Sequence, residues 1–318
     1  MRVSRREFLA RGLRAGATAL VGASAWPVPF DEAETRITLL HTNDVHSRLE
    51  PFPDDDPQYA GLGGAAARRA ALVKRIRREN PNTLLLDAGD AFQGTPYYNV
   101  YRGEADYQVM SAIGYDVVTL GNHEFDSGLE ALARALNFAK FDVVCANYDF
   151  RETLLRDRIK PYVVRELAGV RIGIFGLGIA LEGLVPERHR VGVRYYDPIA
   201  TARAMVRTLR EREEALLVVC LSHLGLYEES ERERMTPPPV GDREVARAVE
   251  GIDVIIGGHT HTFMKEPELV RRPNGGATLI FQVGFGGIVL GRLDLFIRER
   301  RLVGFVGSAL PISERALA

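Results

Sequence analysis

Five of the chain's seven histidines fall inside five short motifs that combine imidazole with carboxylate or amide groups. In chain order these are Asp44-Val45-His46, Gly89-Asp90, Gly121-Asn122-His123-Glu124, Ser222-His223 and Gly257-Gly258-His259-Thr260-His261. Asp44 and His46 lie two positions apart, as do His259 and His261. If strand geometry continues through them, both members of a pair point to the same side and can chelate one ion. Asp90 carries two oxygens and can bridge two cations, which an imidazole cannot do. Asn122 offers a neutral carbonyl oxygen and His223 another imidazole. The set Asp44, His46, Asp90, Asn122, His223, His259 and His261 therefore mixes nitrogen and oxygen donors without thiolate. Such a set suits zinc, manganese or iron and argues against a closed structural zinc site. Two ions about 3.5–4 Å apart would clamp a phosphate and lower the pKa of a bridging water. Taken singly, most of these motifs read as turns or surface chemistry. Five in this order, each after an apolar run, point to a metal centre.

His123 is left over once those ligands are counted. Asp126 follows it by three residues, and a neighbouring carboxylate orients an imidazole and raises its pKa. A protonated His123 beside the ions could stabilise charge developing on phosphoryl oxygens, or protonate the leaving oxygen. Outside this set, His41 reads as packing or as support for the ligands, His189 as solvated and Asp87 as structural. Cys145 and Cys220 sit in apolar runs and read as buried thiols. A disulfide between them stays open in an exported protein.

These side chains need elements to position them. Residues 37–41 read as a strand, followed by an acidic, proline-rich loop over 50–59. Ala66, Ala70, Val73 and Ile76 recur on one face of a helix over 63–79, which Asn80-Pro81-Asn82 stops. Residues 83–86, 116–120 and 142–146 read as strands, with helices over 107–113 and 129–138. Runs 162–167 and 170–177 flank Ala168-Gly169 and read as a hairpin. A helix over 199–214, a strand over 216–221, a helix over 244–249 and a strand over 252–256 follow. Three antiparallel strands, over 278–283, 288–297 and 302–306, close the chain. Early β–α alternation giving way to hairpins predicts an α/β fold of two packed sheets with helices outside. The charged, proline-rich stretch 228–239 reads as a surface loop, or as an insertion or lid.

With 318 residues, 46% of them apolar and 26% charged, the composition is that of an ordinary soluble globular enzyme. The net charge of −1 conceals an asymmetry, since residues 1–25 hold five arginines and one glutamate. No basic stripe supports nucleic-acid binding. Ser4-Arg5-Arg6-Glu7-Phe8-Leu9 is a twin-arginine motif, followed by a weakly apolar run and the small-residue pattern Ala23-Ser24-Ala25. The expectation is a twin-arginine signal over 1–25, a linker over 26–35, a catalytic domain over 36–310 and a tail over 311–318. The signal is too short and polar for a stable membrane span, so the expected location is periplasmic or extracellular.

The motifs resemble those of the 5′-nucleotidase family within the calcineurin-like binuclear metallophosphoesterases. Leu84 to Pro96, Gly121-Asn122-His123-Glu124-Phe125-Asp126 and Gly251 to His261 resemble that family's second, third and last motifs. The resemblance covers roughly 36–298. It implies a four-layer α/β/β/α sandwich, with one ion on Asp44, His46, Asp90 and His261 and the other on Asp90, Asn122, His223 and His259. Manganese or zinc is implied, with magnesium, cobalt or iron as other occupants. His123 and Asp126 would form the catalytic pair for in-line attack of a metal-bridging hydroxide on a phosphomonoester, most naturally a nucleotide. A phosphodiesterase acting on cyclic nucleotides or nucleotide sugars is the alternative within the same resemblance. Full-length relatives carry a C-terminal nucleoside-binding domain with base-stacking aromatics, and no residues here match those. The resemblance thus implies a single domain whose specificity comes from a separate chain or from loops such as 226–240.

Overall fold

Short apolar runs that must be buried on both faces favour parallel strands linked by covering helices, and the chain uses them twice. In a computed structural model, which describes residues 34–273 and 275–313, the first sheet runs in this order: Arg301–Pro311 (β14), Val289–Arg298 (β13), Thr35–Thr42 (β1), Thr83–Asp87 (β2), Val117–Thr119 (β3) and Asp142–Val144 (β4). From β1 to β4 the pairing is parallel, while β13 lies antiparallel to β1 and β14 antiparallel to β13. Helices Ala66–Glu79, Glu104–Ile113 and Gly128–Leu136 make the crossovers.

The second sheet runs Glu268–Arg271 (β11), Ala277–Phe281 (β12), Val254–Gly257 (β10), Leu217–Ser222 (β9), Val170–Leu177 (β7) and Tyr162–Leu167 (β6). Its centre, β12-β10-β9-β7, is parallel. A two-stranded ribbon of Tyr148–Asp149 (β5) and Arg194–Tyr195 (β8) completes the strands among the described residues.

Side-chain alternation divides the apolar residues into separate clusters. Leu40, Leu85 and Val118 pack with Val73, Met110 and Leu132 of the crossover helices. Their neighbours Leu39, Leu84 and Leu86 instead join Ile174, Val219, Leu221 and Ile256 of the second sheet. Val218, Cys220 and Ile255 face the third cluster, with Val206 and Val245 from helices Pro198–Arg207 and Asp242–Ala248. The two sheets thus share one apolar filling, and each has its own helical cover.

Several expectations change in detail. The first helix begins at Ala66, because Gly63, Gly64 and Ala65 all adopt positive φ. A Cβ on Gly64 would collide with the Glu50 carbonyl, so the turn entering the helix requires glycine there. The helix expected over 199–214 is α-helical only through Arg207 and closes in a π turn, Thr208–Arg212. The strand expected over 278–283 does not join an antiparallel closing set. It is β12, parallel to β10 in the second sheet, while β13 and β14 return to the first. Helix Pro96–Tyr101 and strand β11 had no clear periodic signal. Residues 228–239 include a short helix, Glu229–Arg232, whose last residue donates from Nε to the Pro239 carbonyl.

Both cysteines are buried and free. No helix among the described residues is long and apolar enough to cross a membrane. The signal over 1–25, residues 26–33 of the linker and 314–318 of the tail lie outside the described residues.

Candidate metal centre

The five motifs lie at the ends of β1, β2, β3, β9 and β10, each a strand with at least one parallel neighbour, and the carboxyl ends of parallel strands are where such sheets place their sites. Contacts across the two sheets bring these ends together. His223 Nδ1 lies 2.7 Å from the Ala88 carbonyl. The His259 N–H donates to both oxygens of Asp44, at 3.1 and 3.0 Å.

One part of the sequence argument is corrected here. Asp44 and His46 do not share a face through strand alternation, because β1 ends at Thr42. Asp44 (φ 51°), His46 (54°), Asp90 (55°), His259 (72°) and His261 (49°) all adopt the left-handed region. Non-glycine residues there carry strain of about 1–3 kcal/mol each, and such strain gathers at functional sites. Backbone bonds from Asp44 N to Gly89 O (2.9 Å) and from His46 N to Asp90 O (3.0 Å) hold the turns.

The turns gather Asp44, His46 and His261 in one group and Asp90, His223 and His259 in another, with the donor atoms of each group within 4.8 Å of one another. His46, Asp90 and His123 form a third group between them. Asn122 Oδ1 lies 3.1 Å from His259 Nδ1. All seven ligand candidates and His123 therefore share one site.

The donor set fits divalent cations, as the direction of its lone pairs shows. His223 donates from Nδ1 to Ala88, which turns Nε2 toward Asp90 Oδ2 at 2.9 Å. That Nε2 nevertheless makes no hydrogen bond of proper geometry. Nε2 of His46 and Nε2 of His261 face each other at 2.9 Å, with His46 Nδ1 3.2 Å from the Phe92 carbonyl. Nitrogen lone pairs aimed at one another and at carboxylates need a positive charge among them.

Electrostatics point the same way. Burial opposes ionisation of Asp90, but His223 and His46 hold its carboxyl well below the ordinary range. Burial likewise works against a charged His223, yet Asp90 and Asp44 lift it to about 10. That proton supplies the positive charge which a bound cation would replace. Burial keeps His46 below its usual value and, with His223, lowers His259 to about 4, so both offer neutral imidazoles. His123 differs. Burial would lower it, but its Nδ1 lies 2.6 Å from Asp126 Oδ2, and Asp126 with Asp90 raises it to about 9.

Glu124 is the site residue whose role sequence reasoning missed. Its Oε1 accepts from Ala91 N (2.8 Å) and Phe92 N (3.3 Å), and its Oε2 from Asp90 N (3.0 Å) and Gly121 N (2.6 Å). One buried carboxylate thus ties the Asp90 turn to the Asn122 turn. Its place beside His123 in a motif was the available signal. Asn43 plays a similar part, donating to Asp44 Oδ2 and the Gly284 carbonyl, each at 2.6 Å.

Asp87 is structural, accepting from Thr42 Oγ1 at 2.6 Å and from Gly89 N at 2.9 Å. His41 is fully buried, edge-on to Phe281 at 4.9 Å. His189 is half-buried rather than solvated, and its Nδ1 has no hydrogen-bond partner.

Fold and donor set together define a class: mixed α/β proteins that gather imidazole, carboxylate and amide groups where the strand ends of two sheets meet. The sequence profile of the calcineurin-like phosphoesterases matches residues 37–263. The chain belongs to that family. It is 33% identical to the human 5′-nucleotidase over 312 residues, covering 91% of this chain and 51% of that protein. Similarity to the trifunctional nucleotide phosphoesterase YfkN of Bacillus subtilis is 30% over 323 aligned residues, covering 91% of this chain and 20% of that one. The crystal structure of a 5′-nucleotidase precursor from Thermus thermophilus superposes with a TM-score of 0.76 at 35% identity, covering 89% of this chain and 55% of its own. The chain spans about half or less of the length of the curated relatives it matches.

Proposed function

We propose that the protein is an exported phosphohydrolase that removes phosphate from nucleotides or related phosphomonoesters. In this reading residues 36–310 form the phosphoesterase domain, a four-layer α/β/β/α sandwich. The separate helical cover of each sheet supports that layering. One divalent ion is assigned to Asp44, His46, Asp90 and His261 and the other to Asp90, Asn122, His223 and His259, with manganese or zinc as occupants. The observation that carries the reading is the clustering of these donors in overlapping groups linked through His46 and Asp90, with His123 in the linking group. That the human and Thermus relatives are 5′-nucleotidases supports a nucleotide substrate. The twin-arginine motif, and the likeness to a 5′-nucleotidase precursor from Thermus, support export.

When bound, such ions clamp phosphoryl oxygens and lower the pKa of an adjacent water. The chain's own residues do the rest. Asp126 accepts a hydrogen bond from Nδ1–H of His123, which fixes the ring and leaves Nε2–H as the donor for substrate. An imidazolium in that place stabilises charge on the phosphoryl oxygens or gives its proton to the leaving oxygen. Its ring lies 5.3 Å from that of His46, centroid to centroid, so this proton sits beside the ligand groups. Glu124 keeps the Asp90 and Asn122 turns in register.

The Bacillus relative's description as a trifunctional nucleotide phosphoesterase favours a second reading, in which diesters are also cleaved. The deciding experiment measures phosphate release by the purified protein, loaded with manganese or zinc, from AMP, an aryl phosphate and an aryl phosphodiester. Turnover of AMP well above both aryl esters supports nucleotide recognition by this chain. Preference for the diester favours the second reading. Equal turnover of AMP and the aryl monoester moves specificity to a separate chain, and no turnover of any ester overturns the assignment.

A further inference from the structure

Beneath the candidate centre lies a polar cluster with no part in the reaction described above. Arg69, Asp106 and Ser47 are buried, at 1%, 2% and 0% exposure. Arg69 belongs to helix Ala66–Glu79 and Asp106 to helix Glu104–Ile113. Ser47 directly follows His46. Arg69 Nε and Nη1, both Asp106 oxygens and Ser47 Oγ make no hydrogen bond of proper geometry, although Ser47 Oγ lies beside the Asp106 carboxylate. Burial raises the Asp106 carboxyl to about 7; the Ser47 hydroxyl beside it opposes that shift, and so, more weakly, does the charge of Arg69 on the helix packed against that of Asp106. Two donors of a cation, two acceptors of a carboxylate and a hydroxyl are a complementary set. Buried polar groups of this kind are satisfied in native proteins, and a water shared by two to four of them does so.

The guanidinium also reaches the other support of the ligand turn. A Cβ on Gly287 would lie 2.9 Å from Arg69 Nη1. The neighbouring Gly286 N–H donates to the Asp44 carbonyl at 2.7 Å. Arg69 therefore stands against the Gly286–Gly287 turn on one flank of the Asp44–His46 turn, while Asp106 stands beside Ser47 on the other. Asp44 and His46 are held in the left-handed region, so the turn depends on being clamped from outside.

We propose that Arg69 and Asp106 form a buried, water-bridged ion pair which, through Ser47, clamps the turn carrying Asp44 and His46. They are positioning residues for the cation held there. The inference rests on the metal reading above, and its test separates the two.

Manganese affinity of the purified, metal-free full chain is measured by calorimetric titration for wild type, Arg69→Met, Asp106→Asn, Ser47→Ala and the Arg69→Met/Asp106→Asn double variant. Urea melts of each metal-free protein accompany the titrations. Each single substitution is expected to weaken manganese binding about tenfold or more in the folded protein, and the double variant to be no weaker than the worse single one. A merely structural role would lower the urea midpoint and leave the affinity of the folded fraction unchanged. Wild-type binding with variants within twofold of it overturns the proposal alone, as does a double variant whose loss is the product of the two single losses. Absence of manganese binding by wild type overturns the metal reading and this proposal with it. Should the charge variants fail to fold, Ser47→Ala decides, because it removes one hydroxyl and strands no new charge.

Discussion

His123 and Glu124 are adjacent in sequence and have different tasks. His123 points a proton at the site, so His123→Ala is expected to lower turnover about 10²–10⁴-fold. Metal content, measured by elemental analysis, should stay near that of wild type, because the ring is not among the assigned ligands. Loss of metal in this variant would remove the assigned role. Glu124 instead receives four N–H groups, and Glu124→Gln would set an amide donor against two of them. A cost of about 1–3 kcal/mol in urea unfolding is expected, the penalty for buried donors left unpaired. His41 reports on the space between the sheets. Burial depresses it from 6.5 to about 3, so the folded chain refuses a proton that the unfolded chain accepts. Its contribution to stability is complete above pH 6.5 and is lost as pH falls through about 3. Urea midpoints of His41→Leu should therefore fall less steeply with acid than those of wild type, and identical slopes would contradict the assignment.

At the scale of elements, the site is made where strands stop rather than by the strands themselves. Each strand delivers its chain to the same end of its sheet, and a tight turn then sets the ligand direction. Gly121 shows how little room these turns leave. A Cβ there would collide with Asp90 Oδ1 and lie 2.7 Å from Asp90 N. Gly121→Ala is expected to cost about 1–3 kcal/mol as overpacking. It should also weaken manganese binding, since the displaced group is the carboxylate shared by both assigned ions. Calorimetric titration beside urea melts would separate the two effects, and an unchanged affinity would argue that Asp90 is not shared. The alternation along β1, β2, β9 and β10 supplies the rigidity behind the turns, because each strand is pinned by one cluster on either face.

For the whole molecule, the centre joins two sheets that elsewhere meet through apolar packing and a few edge contacts such as the Arg165–Asp142 ion pair between β6 and β4. His223 comes from β9 of the second sheet and reaches the Ala88 carbonyl after β2 of the first, and His259 reaches Asp44. A cation bound across this seam favours the folded state over the unfolded one. At 100 times its dissociation constant, a manganese ion should add about 2.7 kcal/mol of stability. A melting temperature that rises with manganese concentration, and falls back on chelation, would show this linkage. A temperature insensitive to metal would mean that the seam holds without it. The chain also spans about half of the human relative's length. Comparing AMP with an aryl phosphate is therefore a test at this scale, since it asks whether one such unit selects a nucleoside.

The candidate donors that the structure brings together were legible in the chain itself. Histidine is rare in it, and histidines paired with Asp44, Asp90 and Asn122 immediately after apolar runs leave few other uses. Strand and helix positions were legible wherever a period of two or 3.6 ran long enough, as in the hairpin of β6 and β7 or the helix ending at Glu79. Tertiary structure decided what periodicity does not encode. It placed β12 parallel to β10 in the second sheet, and it replaced strand alternation at Asp44, His46, His259 and His261 with left-handed turns. It also gave Glu124, Arg69 and Asp106 their roles, because a buried charge reads as an ordinary surface residue until its partners, distant in sequence, are brought around it. Local sequence carries the backbone preference and the chemistry of each side chain. The direction in which that chemistry is aimed depends on hydrogen bonds between turns from different strands, and those exist only once the sheets have packed.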